Sequence, residues 1–142
     1  MATRNGSAEW KGDLKGGAGT VKVGEGAFEG SYSFTSRFEE GEGTNPEELI
    51  AAAHASCFAM ALSHIIAEDG QSPESVNARA AVSLRNVDGQ PTIARIELTA
   101  EGSVPGIDED QFRAYAEEAK AGCAVSRALG AVPEIELDAR LV

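Results

Sequence analysis

The sequence predicts an α+β fold in which antiparallel sheets wrap a long central helix. Three observations carry that expectation. The elements run in the order strands, long helix, strand pair, helices, strand, which is not the regular alternation of a parallel βαβ array. The segment up to Asn45 holds most of the sixteen glycines, and its apolar residues come in short alternating runs. From Leu49 to Ile66, fourteen of eighteen residues are apolar, enough for a helix that must be covered on most of its faces.

Each element has its own local cause. Ala8–Trp10 with Leu14, Thr20–Val23 and Tyr32–Thr35 read as three strands. Glycine turns at Gly16-Gly17, Gly24-Glu25-Gly26 and Gly30 separate them, making an antiparallel meander with Arg37 at the end of its last strand. Glu39-Glu40-Gly41-Glu42-Gly43 forms an acidic loop. Thr44-Asn45-Pro46-Glu47-Glu48 is a helix start: Thr44 or Asn45 caps, Pro46 suits the first turn, and the two glutamates complement the dipole. That helix should run to Glu68 and stop at Asp69-Gly70, a length of roughly 33 Å at ~1.5 Å per residue. Strands over Val76–Val87 and Thr92–Val104 follow, joined at Asp88-Gly89-Gln90-Pro91. A second helix opens at Asp108 and carries Phe112, Tyr115 and Ala119; a short one starts at Cys123; Ile135, Leu137 and Leu141 mark a closing strand.

The 142 residues amount to one domain, residues 1–142, with material for a single core. They cannot cover the long apolar helix on all sides, and a second copy of the chain is the economical cover. The net charge of −11 and a pI near 4.5 repel phosphate backbones and anionic headgroups, which argues against nucleic-acid and membrane-surface partners. The apolar run approaches a bilayer span in length, but acidic pairs flank it and no Lys or Arg orients it, so no membrane segment is expected. The opening residues contain no apolar leader, and the expected compartment is the cytoplasm. Two scattered cysteines make neither a disulfide framework nor a four-ligand zinc site. In a reducing compartment they are instead candidate functional thiols.

Several residues invite chemistry, and each has a plain structural alternative. Cys57, in the middle of the long helix, reads by position as an inert core thiol. Cys123 follows Gly122 at a helix start, where the dipole lowers a thiol pKa, so position leaves its role open. His54 lies one turn before Cys57 and could form a Cys-His dyad of an acyl transferase, and His64 shares that face. Both histidines are expected instead to bond within a packed interface. Arg37 paired with Glu39 or Glu40, and Glu47 as a dipole complement, are complete accounts of those residues taken alone.

Longer motifs go further. Gly43-Thr44-Asn45-Pro46-Glu47-Glu48-Leu49-Ile50-Ala51-Ala52-Ala53-His54-Ala55-Ser56-Cys57-Phe58 resembles the first-cysteine signature of the OsmC/Ohr family, the osmotically inducible and organic-hydroperoxide-resistance proteins. Ala8–Leu14 resembles the family's opening strand, Ser36-Arg37-Phe38-Glu39 its arginine motif and Val104–Ile107 its pre-helix turn. Lys120–Ser126 resembles its second-cysteine motif, and the placing of Arg37 with the alanine-histidine segment favours the OsmC branch.

The resemblance implies an intertwined homodimer and a thiol-dependent peroxidase that reduces organic hydroperoxides, and hydrogen peroxide less well. It implies no metal or organic cofactor. It casts Cys57 as the attacking cysteine, Cys123 as the resolving cysteine, and Arg37 with Glu47 as the pair that prepares the thiolate. A dithiol reductant of unspecified identity would reopen the resulting disulfide. Ten helical residues span about 15 Å, so Glu47 would reach Cys57 only from the partner chain or through a helix break. A non-catalytic dimer binding ligands in an apolar cleft is the alternative from another functional class.

Overall fold

The computed structural model describes Met1–Val142, which divide into two compact units, Met1–Leu49 and Ile50–Val142. The first unit is built on a three-stranded antiparallel meander of β1 (Gly6–Lys11), β2 (Ala18–Val23) and β3 (Phe28–Tyr32). Gly19 in the central strand pairs with both Trp10 and Tyr32. Having no side chain, it lets the two rings close over it with centroids 5.2 Å apart, where a Cβ would run into both.

The meander differs from the expectation at its end. The third strand is Phe28–Tyr32, with Gly30 paired inside it rather than at a turn, and Phe34–Phe38 form a short helix, α1, so Arg37 lies on a helix rather than at a strand terminus. The cause is a capping box. Ser33 Oγ accepts from the Ser36 N–H at 3.1 Å while Ser36 Oγ accepts from the Ser33 N–H at 2.8 Å. Two backbone donors are satisfied reciprocally, which favours the helical turn over continued extension.

The long helix α2 (Pro46–Glu68) is continuous over 23 residues. Asn45 Oδ1 accepts from the Glu48 N–H at 2.8 Å and caps it, and Gly70, at φ 82°, ends it in the left-handed conformation that glycine adopts without strain. The helix is long and apolar enough to cross a membrane. Ala52, Ala53, Met60 and Ala67 lie exposed along it in the single chain, with Met60 76% accessible.

In the second unit, β4 (Ser75–Val87) and β5 (Gln90–Ser103) form a long antiparallel hairpin. Its turn, Asp88-Gly89, has positive φ at both residues, as a two-residue hairpin turn requires. Helices α3 (Glu109–Gly122) and α4 (Ala124–Ala128) lead to β6 (Glu134–Leu141). The expectation of antiparallel sheets needs one correction here, because β6 joins β5 in parallel. The two helices return the chain to the end where β5 began, and a strand entering from that end runs alongside it in the same direction. The core of this unit joins Phe58, Leu62 and Ile66 of α2 to Ile96, Leu98 and Ala100 of β5 and to Phe112, Ala116 and Ala119 of α3.

Candidate active site

Each unit holds one pair of the residues singled out from the sequence. In the first, Arg37 donates from Nε to Glu47 Oε1 at 2.9 Å and from Nη2 to Oε2 at 3.1 Å. This fork-to-fork pairing fixes the guanidinium plane, and Nη1 takes no part in it. Glu47 is buried, so the carboxylate has exchanged water for the arginine.

The frame around the pair is made by small polar side chains. Ser36 Oγ donates to the Thr44 carbonyl at 2.7 Å, and Asn45 Nδ2 donates to the Ser36 carbonyl at 2.8 Å. These two bonds tie α1 to the first turn of α2 and hold Arg37 opposite Glu47. The plain alternative, a surface pairing of Arg37 with Glu39 or Glu40, does not form; its carboxylate partner is Glu47. Beside Arg37 lies a cavity of about 190 Å³ lined by Trp10, Leu14, Tyr32, Phe34 and Phe38. One guanidinium at the edge of an aromatic pocket can bind a molecule that is apolar at one end and carries an oxygen acceptor at the other.

The second unit holds both thiols, Cys57 half-buried on α2 and Cys123 buried at the junction of α3 and α4, and both are free. Cys123 is the N-cap of α4, with its sulfur accepting from the Ser126 N–H at 3.3 Å. Burial pushes the Cys123 thiol up. Hydrogen bonding with Ser126, with smaller contributions from Cys57 and the Val125 backbone, outweighs it and brings the pKa below its ordinary value. Both cysteines lie in the second unit, and Cys57 is among the groups that lower the Cys123 pKa.

His54 is fully buried, and its Nε2 meets Ser126 Oγ at 2.7 Å. Its other nitrogen, Nδ1, has no partner, so a His54–Cys57 dyad is not formed. Burial lowers the His54 pKa, because the interior penalises the cation. His64, expected in a packed interface, is exposed in the single chain. Ser126 is the residue that sequence reasoning did not single out. Its signal was present in the Cys123-x-x-Ser126 spacing, which is that of a cap and the N3 residue it bonds.

Residues 39–138 match the OsmC-like protein family. The chain is 49% identical over 139 residues to "Peroxiredoxin OsmC" of Escherichia coli (strain K12), covering 97% of this chain and 96% of that protein. It is 34% identical over 89 residues to an "Organic hydroperoxide resistance protein" of Xanthomonas axonopodis pv. citri, covering 62% of this chain and 61% of that one. Among solved structures, an organic hydroperoxide resistance protein OsmC from Legionella pneumophila matches with a TM-score of 0.75 and 23% identity, over 99% of both chains.

Proposed function

The chain belongs to the OsmC-like protein family, and from that membership we propose that it is a thiol-dependent peroxidase that reduces organic hydroperoxides to alcohols. The observation that supports this reading is the presence of two free thiols in one unit, one on the long helix and one capping a short helix. The Cys57 thiolate attacks the terminal peroxide oxygen, the O–O bond breaks, and the alkoxide leaves as an alcohol after taking a proton. Cys57 is left as a sulfenic acid. The Cys123 thiol condenses with it to a disulfide and releases water, before a second peroxide can drive over-oxidation. A dithiol reductant reopens the disulfide.

Arg37 favours the thiolate by its charge and donates to the peroxide oxygen on which charge develops, while Glu47 holds the guanidinium in one orientation. The aromatic cavity beside Arg37 receives the alkyl group, which supports a preference for organic peroxides over hydrogen peroxide. Within one chain the unbroken helix gives Glu47 no turn back toward its own Cys57. The Arg37–Glu47 pair therefore serves Cys57 of a second protomer in an intertwined homodimer. The apolar residues exposed along α2 support such a partner.

The test is a thiol count. Reduced protein incubated with a bulky alkyl hydroperoxide should lose two thiols per chain, with equivalent peroxide consumed and alcohol formed. Binding without thiol loss would favour a non-catalytic ligand-binding dimer instead.

A further inference from the structure

Resting on the peroxidase reading, we propose that Ser126 and His54 form a buried proton relay that serves Cys123 in the disulfide-forming step. The hydroxyl of Ser126 stands between the two groups. Cys123 Sγ donates to Ser126 Oγ at 3.2 Å, and Ser126 Oγ lies 2.7 Å from His54 Nε2, 72 positions away in sequence. A hydroxyl has one proton to give. When it accepts from the thiol, that proton points to Nε2, and the imidazole carries its own hydrogen on Nδ1.

Disulfide formation needs such a path. The Cys123–Cys57 S–S bond forms and the Cys57 S–O bond breaks, so the Cys123 sulfur is oxidised and the sulfenic sulfur is reduced. One proton must leave Cys123, and one must reach the departing hydroxide to make water. Cys123 is only 3% exposed, so bulk solvent is a poor acceptor for that proton. Through Ser126 it can move one hydrogen bond at a time. Sγ gives its proton to Oγ as Oγ gives its own to Nε2, the hydroxide leaving half-buried Cys57 takes a proton from solvent to make water, and the ring gives up its extra proton through Ser126 once the disulfide has formed. The Ser126 N–H, 3.3 Å from the same sulfur, stabilises the thiolate while the proton is away.

A purely structural role for His54 leaves one feature unexplained. Nδ1 is buried with no partner, a placement that costs desolvation and adds nothing to holding Ser126 in position. Burial also keeps the resting ring neutral, with Nε2 free to accept. Ser126 thus touches the reacting sulfur, and His54 acts through it as a positioning residue.

The test is a single turnover of the reduced protein with one equivalent of tert-butyl hydroperoxide, following Cys57 sulfenic acid and the disulfide by mass spectrometry. The readout is the rate of disulfide closure relative to the rate of Cys57 oxidation. Ser126→Ala and His54→Gln should lower that ratio on the order of a hundredfold, the low end of what a positioned proton acceptor contributes. Ser126→Thr keeps the hydroxyl and should retain most of it. Closure in wild type should slow more in heavy water than closure in Ser126→Ala. His54→Gln can still bond the Ser126 hydroxyl but cannot take up a proton, so it separates relay from scaffold and carries the test if Ser126→Ala does not fold. An unchanged ratio and isotope effect in His54→Gln would overturn the relay alone. Wild type that forms no sulfenic acid at Cys57 would overturn the peroxidase reading and the relay with it.

Discussion

Arg37 on α1 and Glu47 on α2 hold each other through two hydrogen bonds of 2.9 and 3.1 Å, and the carboxylate of that pair is buried while the guanidinium stays half-open. A charge pair at the surface would contribute little free energy. Here one partner is out of water and the geometry is bidentate, so the pair acts as a fixed donor array beside an aromatic cavity.

Arg37→Met should therefore slow Cys57 oxidation by about a hundredfold or more, the loss seen when one preorganised donor to developing charge is removed. Arg37→Lys should recover part of the rate, since an ammonium keeps the charge and loses the planar fork. Stopped-flow peroxide reduction decides between them. Full activity in the lysine variant would show that direction does not matter.

Dimerisation is the next expectation. Met60, an apolar side chain 76% exposed on α2, should be covered by the partner. The wild-type protein should sediment as a homodimer at micromolar concentration, and Met60→Glu should weaken that dimer by placing a charge in an apolar contact. A folded wild-type monomer would remove the basis for a shared site.

Mixed dimers test which chain supplies the arginine. One chain carries Arg37→Met and the other Cys57→Ser, so that one homodimer is strongly slowed and the other inactive. If Arg37 serves the partner's Cys57, the mixed dimer regains one complete site and about half of wild-type activity. If Arg37 serves its own chain, both sites remain broken and the mixture stays inactive.

The sequence made most of this architecture legible, for identifiable reasons. The α2 start was readable because Asn45, Pro46, Glu47 and Glu48 each satisfy a separate requirement of a helix N-terminus. The hairpin turn was readable because Asp88-Gly89 suits positive φ. The α1 turn was missed because the strand propensity of Tyr32 and Phe34 masked the Ser33–Ser36 box. The parallel docking of β6 depends on where two helices deliver the chain, which no local pattern encodes. The pairing of His54 with Ser126 was hidden for the same reason, being a contact across 72 positions.

Stability should depend on pH through His54. Burial holds its pKa below the ordinary value of 6.5, so below that pH the unfolded chain binds a proton that the folded chain resists. Where the unfolded state binds more protons, stability rises with pH, and it is lost as pH falls through the unfolded value toward the folded one. The urea midpoint of wild type should therefore drop more between neutral pH and about pH 5 than that of His54→Gln. Equal drops would mean that the unfolded and folded histidines titrate alike.

The two thiols should divide their labour. Cys57→Ser should abolish turnover, because Cys123 is buried and lies at the end of the hydrogen-bonded chain rather than on the helix that carries the attacking position. Cys123→Ser should leave Cys57 able to reach the sulfenic acid and unable to go on to the disulfide, so excess peroxide should drive it to the sulfinic acid. Wild type given one equivalent of peroxide should instead close an intrachain Cys57–Cys123 disulfide. Closure needs Cα atoms within about 7 Å, so α4 must bring Cys123 against α2. The lowered Cys123 pKa adds to this, since a larger thiolate fraction attacks the sulfenic sulfur faster. Mass spectrometry of the oxidised chain separates the outcomes. An interchain bond, or a Cys123→Ser variant that resists over-oxidation as well as wild type, would reverse the assignment of attacking and resolving cysteines.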